Sequence, residues 1–283
     1  TQGEVRPKTE IDLIPQVSGH IVAISLSFAE GAGFGPGTTL VKIDDTDYKL
    51  AVIRARARVA EAQVAVQREL ARTRIKEDHW LDKRSSGEPT PYALNKPQLI
   101  EAEAKLLAAQ ADLKQARLNV TRTEISAPFA GRVAEKSIGI GQYVSAGTRL
   151  GRVFSTATVE IRLPLTDAQL AELDLPMGFM ADAFNAPQVQ FTARVGNREH
   201  FWHGRIVRTH ASVDPQTRLI YAVAEVEDPY GLGSDHGAPL AVGMFVSAEI
   251  TSVTSQLAFV LPRLALRNTD KVYVINDDNR LEI

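Results

Sequence analysis

The residues best equipped for chemistry in this chain are few. Glu199, His200 and His203 lie together, with His210 further on. Imidazoles with a carboxylate form a donor set for Zn²⁺ or Cu⁺. In a strand a spacing of three turns two side chains to opposite faces, so His200 and His203 can converge only in a loop. The chain holds three methionines and no cysteine, so soft copper donors are scarce and thiolate sites are excluded. His200 and His203 therefore stand as the candidate metal ligands, read as part of an exposed polar loop ahead of a strand, and no resident metal is expected. Asp44-Asp45 and Asp277-Asp278 are paired carboxylates at strand ends or turns, where Asp ordinarily forms the turn itself. Gly31-Ala32-Gly33-Phe34-Gly35 lacks the Gly-x-Gly-x-x-Gly spacing and leads into a strand, so no helix N-terminus meets a phosphate there. No Gly-x-Ser-x-Gly occurs. The residues predict neither an enzyme nor a cofactor.

The elements that position these residues follow from pattern. The chain has 283 residues, 44% hydrophobic and 23% charged, with a net charge of −2. That balance describes a folded protein of one large or two to three small domains and excludes a strongly basic nucleic-acid binder. No apolar run approaches the length of a membrane-spanning helix. The first residue is Thr1, which leads to the expectation of a leader or anchor ahead of it. A chain free of cysteine suits a Gram-negative periplasm, and cytosolic proteins can lack cysteine as well.

A repeat organises the first half. Ile14-Pro15-Gln16-Val17-Ser18-Gly19-His20-Ile21-Val22, followed by Pro36-Gly37-Thr38-Thr39-Leu40, matches Ser126-Ala127-Pro128-Phe129-Ala130-Gly131-Arg132-Val133, followed by Ala146-Gly147-Thr148-Arg149-Leu150. Each copy reads as short strands punctuated by glycine turns. Neither copy could bury a core alone, so two copies facing each other are expected to form one small β-sandwich.

Between the copies the composition changes. Val52, Val59, Val66, Thr73 and Trp80 recur every seven residues, and Ala55 and Ala62 follow the first two by three. Leu99, Leu106, Leu113 and Val120 recur every seven, each followed by Ala102, Ala109, Ala116 and Thr123. These are heptad seams on two helices, over 47–83 and 97–123. Ser85-Ser86-Gly87-Glu88-Pro89-Thr90-Pro91 breaks the chain between them. The result is an antiparallel coiled-coil hairpin forming a rod roughly 40–55 Å long. Residues 46–123 hold 15 Lys and Arg against 10 Asp and Glu, net +5, while the remainder holds 17 against 24, net −7.

From Thr158 the pattern is all β, with one short helix at Asp167–Leu173 capped by Thr166, and it predicts a compact barrel. Val260-Leu261-Pro262 through Val272-Tyr273-Val274 begins a further β unit, which the reading takes as incomplete at Ile283.

This order of modules resembles the periplasmic adaptor subunits, or membrane fusion proteins, of resistance-nodulation-division tripartite efflux pumps. The matching motifs are Pro15-Gln16-Val17-Ser18-Gly19, Arg122 through Val133, Asp214 with Thr217-Arg218, Gly243-Met244-Phe245-Val246, and Leu261-Pro262 with Ala265-Leu266. The resemblance implies a mostly β fold with an inserted α-helical coiled-coil hairpin. Its domains would be a lipoyl-like domain at 10–45 and 124–155, the hairpin at 46–123, a β-barrel at 156–254, and a partial membrane-proximal domain at 1–9 and 255–283. A lipoyl or biotin carrier would display a lysine where the hairpin is inserted, and none is displayed here.

The resemblance also implies a job: bridging an inner-membrane transporter to an outer-membrane channel for export of small toxic compounds of the multidrug type. Adaptors of heavy-metal pumps and of ATP-driven exporters are the alternatives. The implied location is the periplasm, attached to the inner membrane through an N-terminal lipid anchor or helix, with six copies in the pump and no nucleic acid. Family hairpin tips dock through an Arg, a Leu and a Ser. The candidates here are Arg84, Leu94 and Asn95, at an altered spacing.

Overall fold

The computed structural model describes residues 1–82, 89–182, 185–231 and 233–251, with strand residues 266–267, 271–272, 274–275 and 281–282. The chain divides into two compact units, one of Thr1–Val5, Ile161–Val226 and Gly243–Ile283, the other of Arg6–Glu160 and Glu227–Val242. Among the described residues no helix is long and apolar enough to cross a membrane.

Six strands close a barrel in the order β1 (Gln2–Pro7), β10 (Thr158–Leu165), β13 (Ile220–Glu227), β12 (Arg198–Thr209), β11 (Gln188–Val195) and β14 (Phe245–Ile250). Alternation turns Ile161, Leu163, Phe191, Trp202 and Ile206 inward, all buried. The placement of β1 corrects the assignment of residues 1–9 to a membrane-proximal unit. Gly3 faces Val246 and Glu4 faces Phe245 in the barrel ladder, and Gly3 leaves room for the side chain of Ile161 where a Cβ would collide. The short helix is α3 (Asp167–Glu172). The Thr166 side chain accepts from the Gln169 amide while Gln169 reaches back to the Thr166 amide, a reciprocal capping box. Asp214 accepts from the amides of Gln216 and Thr217, and these two bonds hold its carboxyl below the usual range. In the last segment β15 (Leu266–Arg267) pairs β16 (Lys271–Val272), and β17 (Val274–Ile275) pairs β18 (Leu281–Glu282).

The sandwich has two four-stranded sheets. One orders β2 (Glu10–Leu13), β9 (Gly151–Ser155), β7 (Gly131–Lys136) and β4 (Gly33–Phe34). The other orders β6 (Glu124–Ser126), β5 (Thr39–Ile43), β3 (Gly19–Ile24) and β8 (Tyr143–Val144). The expectation of two facing copies needs refinement, because each sheet takes strands from both. The exchange is symmetric: Gly19 pairs Val144, and its repeat-mate Gly131 pairs Phe34. Gly37 and Gly147 occupy equivalent left-handed turns at φ 71° and 92°, conformations that glycine adopts at little cost. The core between the sheets holds Ile21, Phe28, Leu40, Ile43, Leu150 and Val153.

The hairpin grows from neighbouring strands. β5 runs into α1 (Thr46–Asp82), and α2 (Lys96–Thr121) returns into β6. β5 and β6 are paired, Val41 with Ile125 and Lys42 with Glu124, so the two helices leave and rejoin the sandwich side by side. Asp44 caps the start of α1 by accepting from both the amide and the hydroxyl of Thr46. Tyr48 packs against the sandwich core, and its hydroxyl donates to the Ser18 carbonyl at 2.6 Å.

Candidate partner-binding site on the helical hairpin

Heptad position determines which helix residues meet. The buried residues of α1 are Ala55 and Thr73, and those of α2 are Ala102 and Ala109. The seam thus closes on its small residues, with Val52, Val59, Leu99, Leu106 and Leu113 half-buried beside them. A groove of about 290 Å³ brings Ala51, Arg54, Ala55 and Arg58 beside Asp112, Gln115, Ala116 and Asn119. That register puts Ala55 level with Ala116, and seven residues on it puts Ala62 level with Ala109.

Further from the sandwich the same positions become polar. The series Ala55, Ala62 continues to Glu69 and Lys76. The series Ala116, Ala109, Ala102 continues back to Asn95. The Asn95 amide donates to Glu69 Oε2 at 2.8 Å, and Asn95 Oδ1 accepts from Lys76 Nζ at 3.3 Å. Arg72 donates to the other Glu69 oxygen at 2.7 Å. The buried Thr73 hydroxyl donates to the Glu69 carbonyl. Asn95 has φ 61° and ψ 16°, just ahead of α2. The left-handed region is one Asn tolerates better than most residues. Pro97 then starts the helix, where its missing N–H costs nothing.

These facts place the candidate site residues. Leu94 and Asn95 are 7% and 5% exposed. In the single chain Leu94 fastens the turn through burial, and Asn95 fastens it through hydrogen bonds. Arg84 lies outside the described residues. Among the described residues, the large hydrophobic side chains turned outward near the turn are Tyr92, 72% exposed, and Leu81, 75% exposed, neither of which the sequence pattern singled out. His200 and His203 sit inside β12 and not in a loop. His200 is buried beside Trp202, with ring centroids 6.0 Å apart, and His203 is exposed. Within the strand they face opposite ways and do not converge. His210 rests near Tyr221. Among the described residues no group of three or more His, Asp or Glu could hold a metal ion.

The hairpin also carries a second pattern. Ile53, Val64 and Ile75 on α1 are 64%, 58% and 60% exposed, and Ile100, Leu107 and Leu118 on α2 are 64%, 66% and 42% exposed. At 3.6 residues per turn, Ile53, Ala57, Ala60, Val64, Ala71 and Ile75 form one stripe turned away from the seam, and so do Ile100, Ala104, Leu107, Ala111 and Leu118. The antiparallel register sets Val64 level with Leu107 and Ile53 level with Leu118. Apolar stripes of this extent on a free surface mark contact faces.

A sandwich of exchanged half-repeats split by a helical hairpin defines a class. Residues 9–156, just over half of the chain, match the model described as "RND MFP, barrel-sandwich hybrid domain". The chain belongs to this family, the membrane fusion proteins of resistance-nodulation-division systems. It is 26% identical to the multidrug resistance protein MdtA of Cronobacter turicensis over 99% of its length, and 28% identical to the efflux pump periplasmic linker BepD of Brucella suis over 95%. It spans 65% of the former's length and 68% of the latter's. Among solved structures, a MacA-MexA chimera containing the Pseudomonas aeruginosa MexA α-hairpin shares the fold, with a TM-score of 0.63 at 22% identity, covering all of this chain and 90% of that one. A putative efflux transporter from Bacteroides eggerthii matches at a TM-score of 0.62 and 16% identity over 99% of this chain and 79% of its own.

Proposed function

We propose that this protein is a periplasmic adaptor that joins an inner-membrane efflux transporter to an outer-membrane channel for export of small toxic compounds of several kinds. In this role it performs no catalysis. Its domains are the lipoyl-like sandwich at 10–45 and 124–155, the hairpin at 46–123, the barrel, and a membrane-proximal portion within 255–283. Its N-terminal side is anchored to the inner membrane. The relatives named for multidrug resistance and as an efflux linker support the cargo class and the location.

The observation that carries the reading is the pair of apolar stripes on the outer faces of α1 and α2. A hairpin that only had to stand alone would expose polar residues there. Stripes on both flanks, level with one another, let α1 of one copy meet α2 of the next, and repetition of that contact builds a closed ring when its rotation permits. Six copies around one duct is the assembly we assign.

Two experiments test this reading. Deleting the gene should sensitise cells to several unrelated dyes, detergents and antibiotics. Sensitisation to metal salts alone would move the protein to metal efflux, and no sensitisation to any compound would refute an export role. The chain has no cysteine, so Val64→Cys with Leu107→Cys introduces the only thiols. Oxidation of cells carrying this variant should give a ladder of crosslinked copies, and a monomer alone would refute the side-by-side ring.

A further inference from the structure

We propose that Glu69, Lys76 and Asn95 form a lock that fixes how the distal turn folds back on α1, and so decides which side chains the end of the hairpin presents. The inference deepens the adaptor role proposed above and rests on it for its functional meaning, but its test needs no partner. The lock occupies one geometric series. In both helices the seam position filled by alanine near the sandwich becomes polar at the far end, and the new groups are complementary: a carboxylate, an ammonium, and an amide that donates to one and accepts from the other. A polar group at a single seam position specifies arrangement at a cost in stability.

The backbone explains why the distal end needs such a device. Residues 90–96 already bond in a helix-like way, Leu94 to the Thr90 carbonyl and Lys96 to the Pro91 carbonyl. The left-handed Asn95 separates this turn from α2. A rotation at Asn95 would swing the turn relative to α1, exchanging the buried Leu94 for the exposed Tyr92. The Asn95 amide, gripped from α1 by Glu69 and Lys76, resists that rotation. The lock is therefore a positioning device, and the surface it positions is the outward side of Tyr92 and Ala93.

The test uses the full chain with spin labels at Gln67→Cys and Ala93→Cys, both exposed positions, and reads the inter-label distance distribution. The parent should give one narrow population. Asn95→Gly keeps the left-handed backbone accessible and removes the amide, while the pair Glu69→Ala and Lys76→Ala continues the alanine series. Each should at least double the width of the distribution. The amide can turn over, so Glu69→Lys with Lys76→Glu should restore the narrow population, in a background carrying Arg72→Gln to relieve repulsion at position 69. A narrow distribution in Asn95→Gly and in the alanine pair overturns the proposal. So does a broad one in the exchanged pair. Such an outcome leaves the adaptor reading intact, because the deletion and crosslinking experiments do not depend on the lock.

Discussion

From Val52 to Val66 the α1 seam is filled by valine and alanine, and the facing stretch of α2, Leu106 to Val120, by leucine, alanine and valine. From Glu69 to Trp80 the same positions hold Glu69, Thr73, Lys76 and Trp80, faced by Ala102, Leu99 and Asn95 with Gln98 nearby, so polar groups enter a seam that is wholly apolar nearer the sandwich. The two halves share a period and differ in what secures them. The proximal half is fixed from outside: β5 and β6 are paired, and Tyr48 is seated on the sandwich core. Close packing of small residues is then enough. The distal half has no sheet to hold it and ends in a turn, so hydrogen bonds take over the task. Polar bonds specify geometry but contribute little net stability. The Oε1 atom of Gln98, buried with no hydrogen-bond partner among the described residues, belongs to the same half.

Four measurements test this contrast. The largest effect belongs to Ala55→Glu, which places a long charged side chain in the tight proximal seam. Overpacking and an unpaired buried charge should together cost about 3 kcal/mol or more, seen as a lower urea midpoint by circular dichroism; an unchanged midpoint would mean the proximal seam is not tightly packed. Next, Leu94→Ala should remove about 2 kcal/mol locally. Hydrogen exchange should quicken over 90–99 and stay unchanged over 50–62. Gln98→Leu has the opposite sign. Replacing an unsatisfied carbonyl by an apolar group should raise stability by about 1 kcal/mol, and a loss would show that Gln98 has a partner in solution.

The smallest effect is one of pH at the junction with the sandwich. Bonds from Thr46 depress the Asp44 carboxyl, and the bond from Lys49 depresses that of Asp45. Their stabilisation is present above the unfolded carboxylate value of about 3.9 and is lost as pH falls through the lower folded values. The bond with Glu124 raises the ammonium of Lys42. Its contribution is present below the unfolded lysine value of about 10.4 and lost as pH rises through the higher folded one. Asp44 and Glu124 are exposed and Lys42 and Asp45 half-buried at the surface, and none of the four titrates between these limits, so the junction should hold with little change from about pH 4 to 10. A melting midpoint that moved strongly within that window would mean that other groups govern the junction.

Much of this architecture was legible in the residues. The split repeat showed because glycine turns and Gly-Thr pairs recur at matched spacing, and the seam showed because seven-residue periodicity survives in a single sequence. Membership of β1 in the barrel did not show, since closure joins Gly3 to Val246 across most of the chain and leaves no local trace. The burial of Leu94 did not show, because a leucine among prolines and polar residues looks solvent-facing until the turn itself is seen. The lock left a trace that the heptad reading passed over, because extending Ala55 and Ala62 by seven and again by seven lands on Glu69 and Lys76.

The pairing of β5 with β6 has one more consequence. Since the hairpin starts and ends on adjacent strands, the sandwich has no record of how long the excursion between them is. Adding seven residues to each helix would preserve the phase of the seam and lengthen the rod by about 10 Å, whereas adding three or four would rotate every contact out of alignment. The distance this molecule can span is therefore an adjustable dimension, graduated in heptads and inherited separately from the platform that carries it.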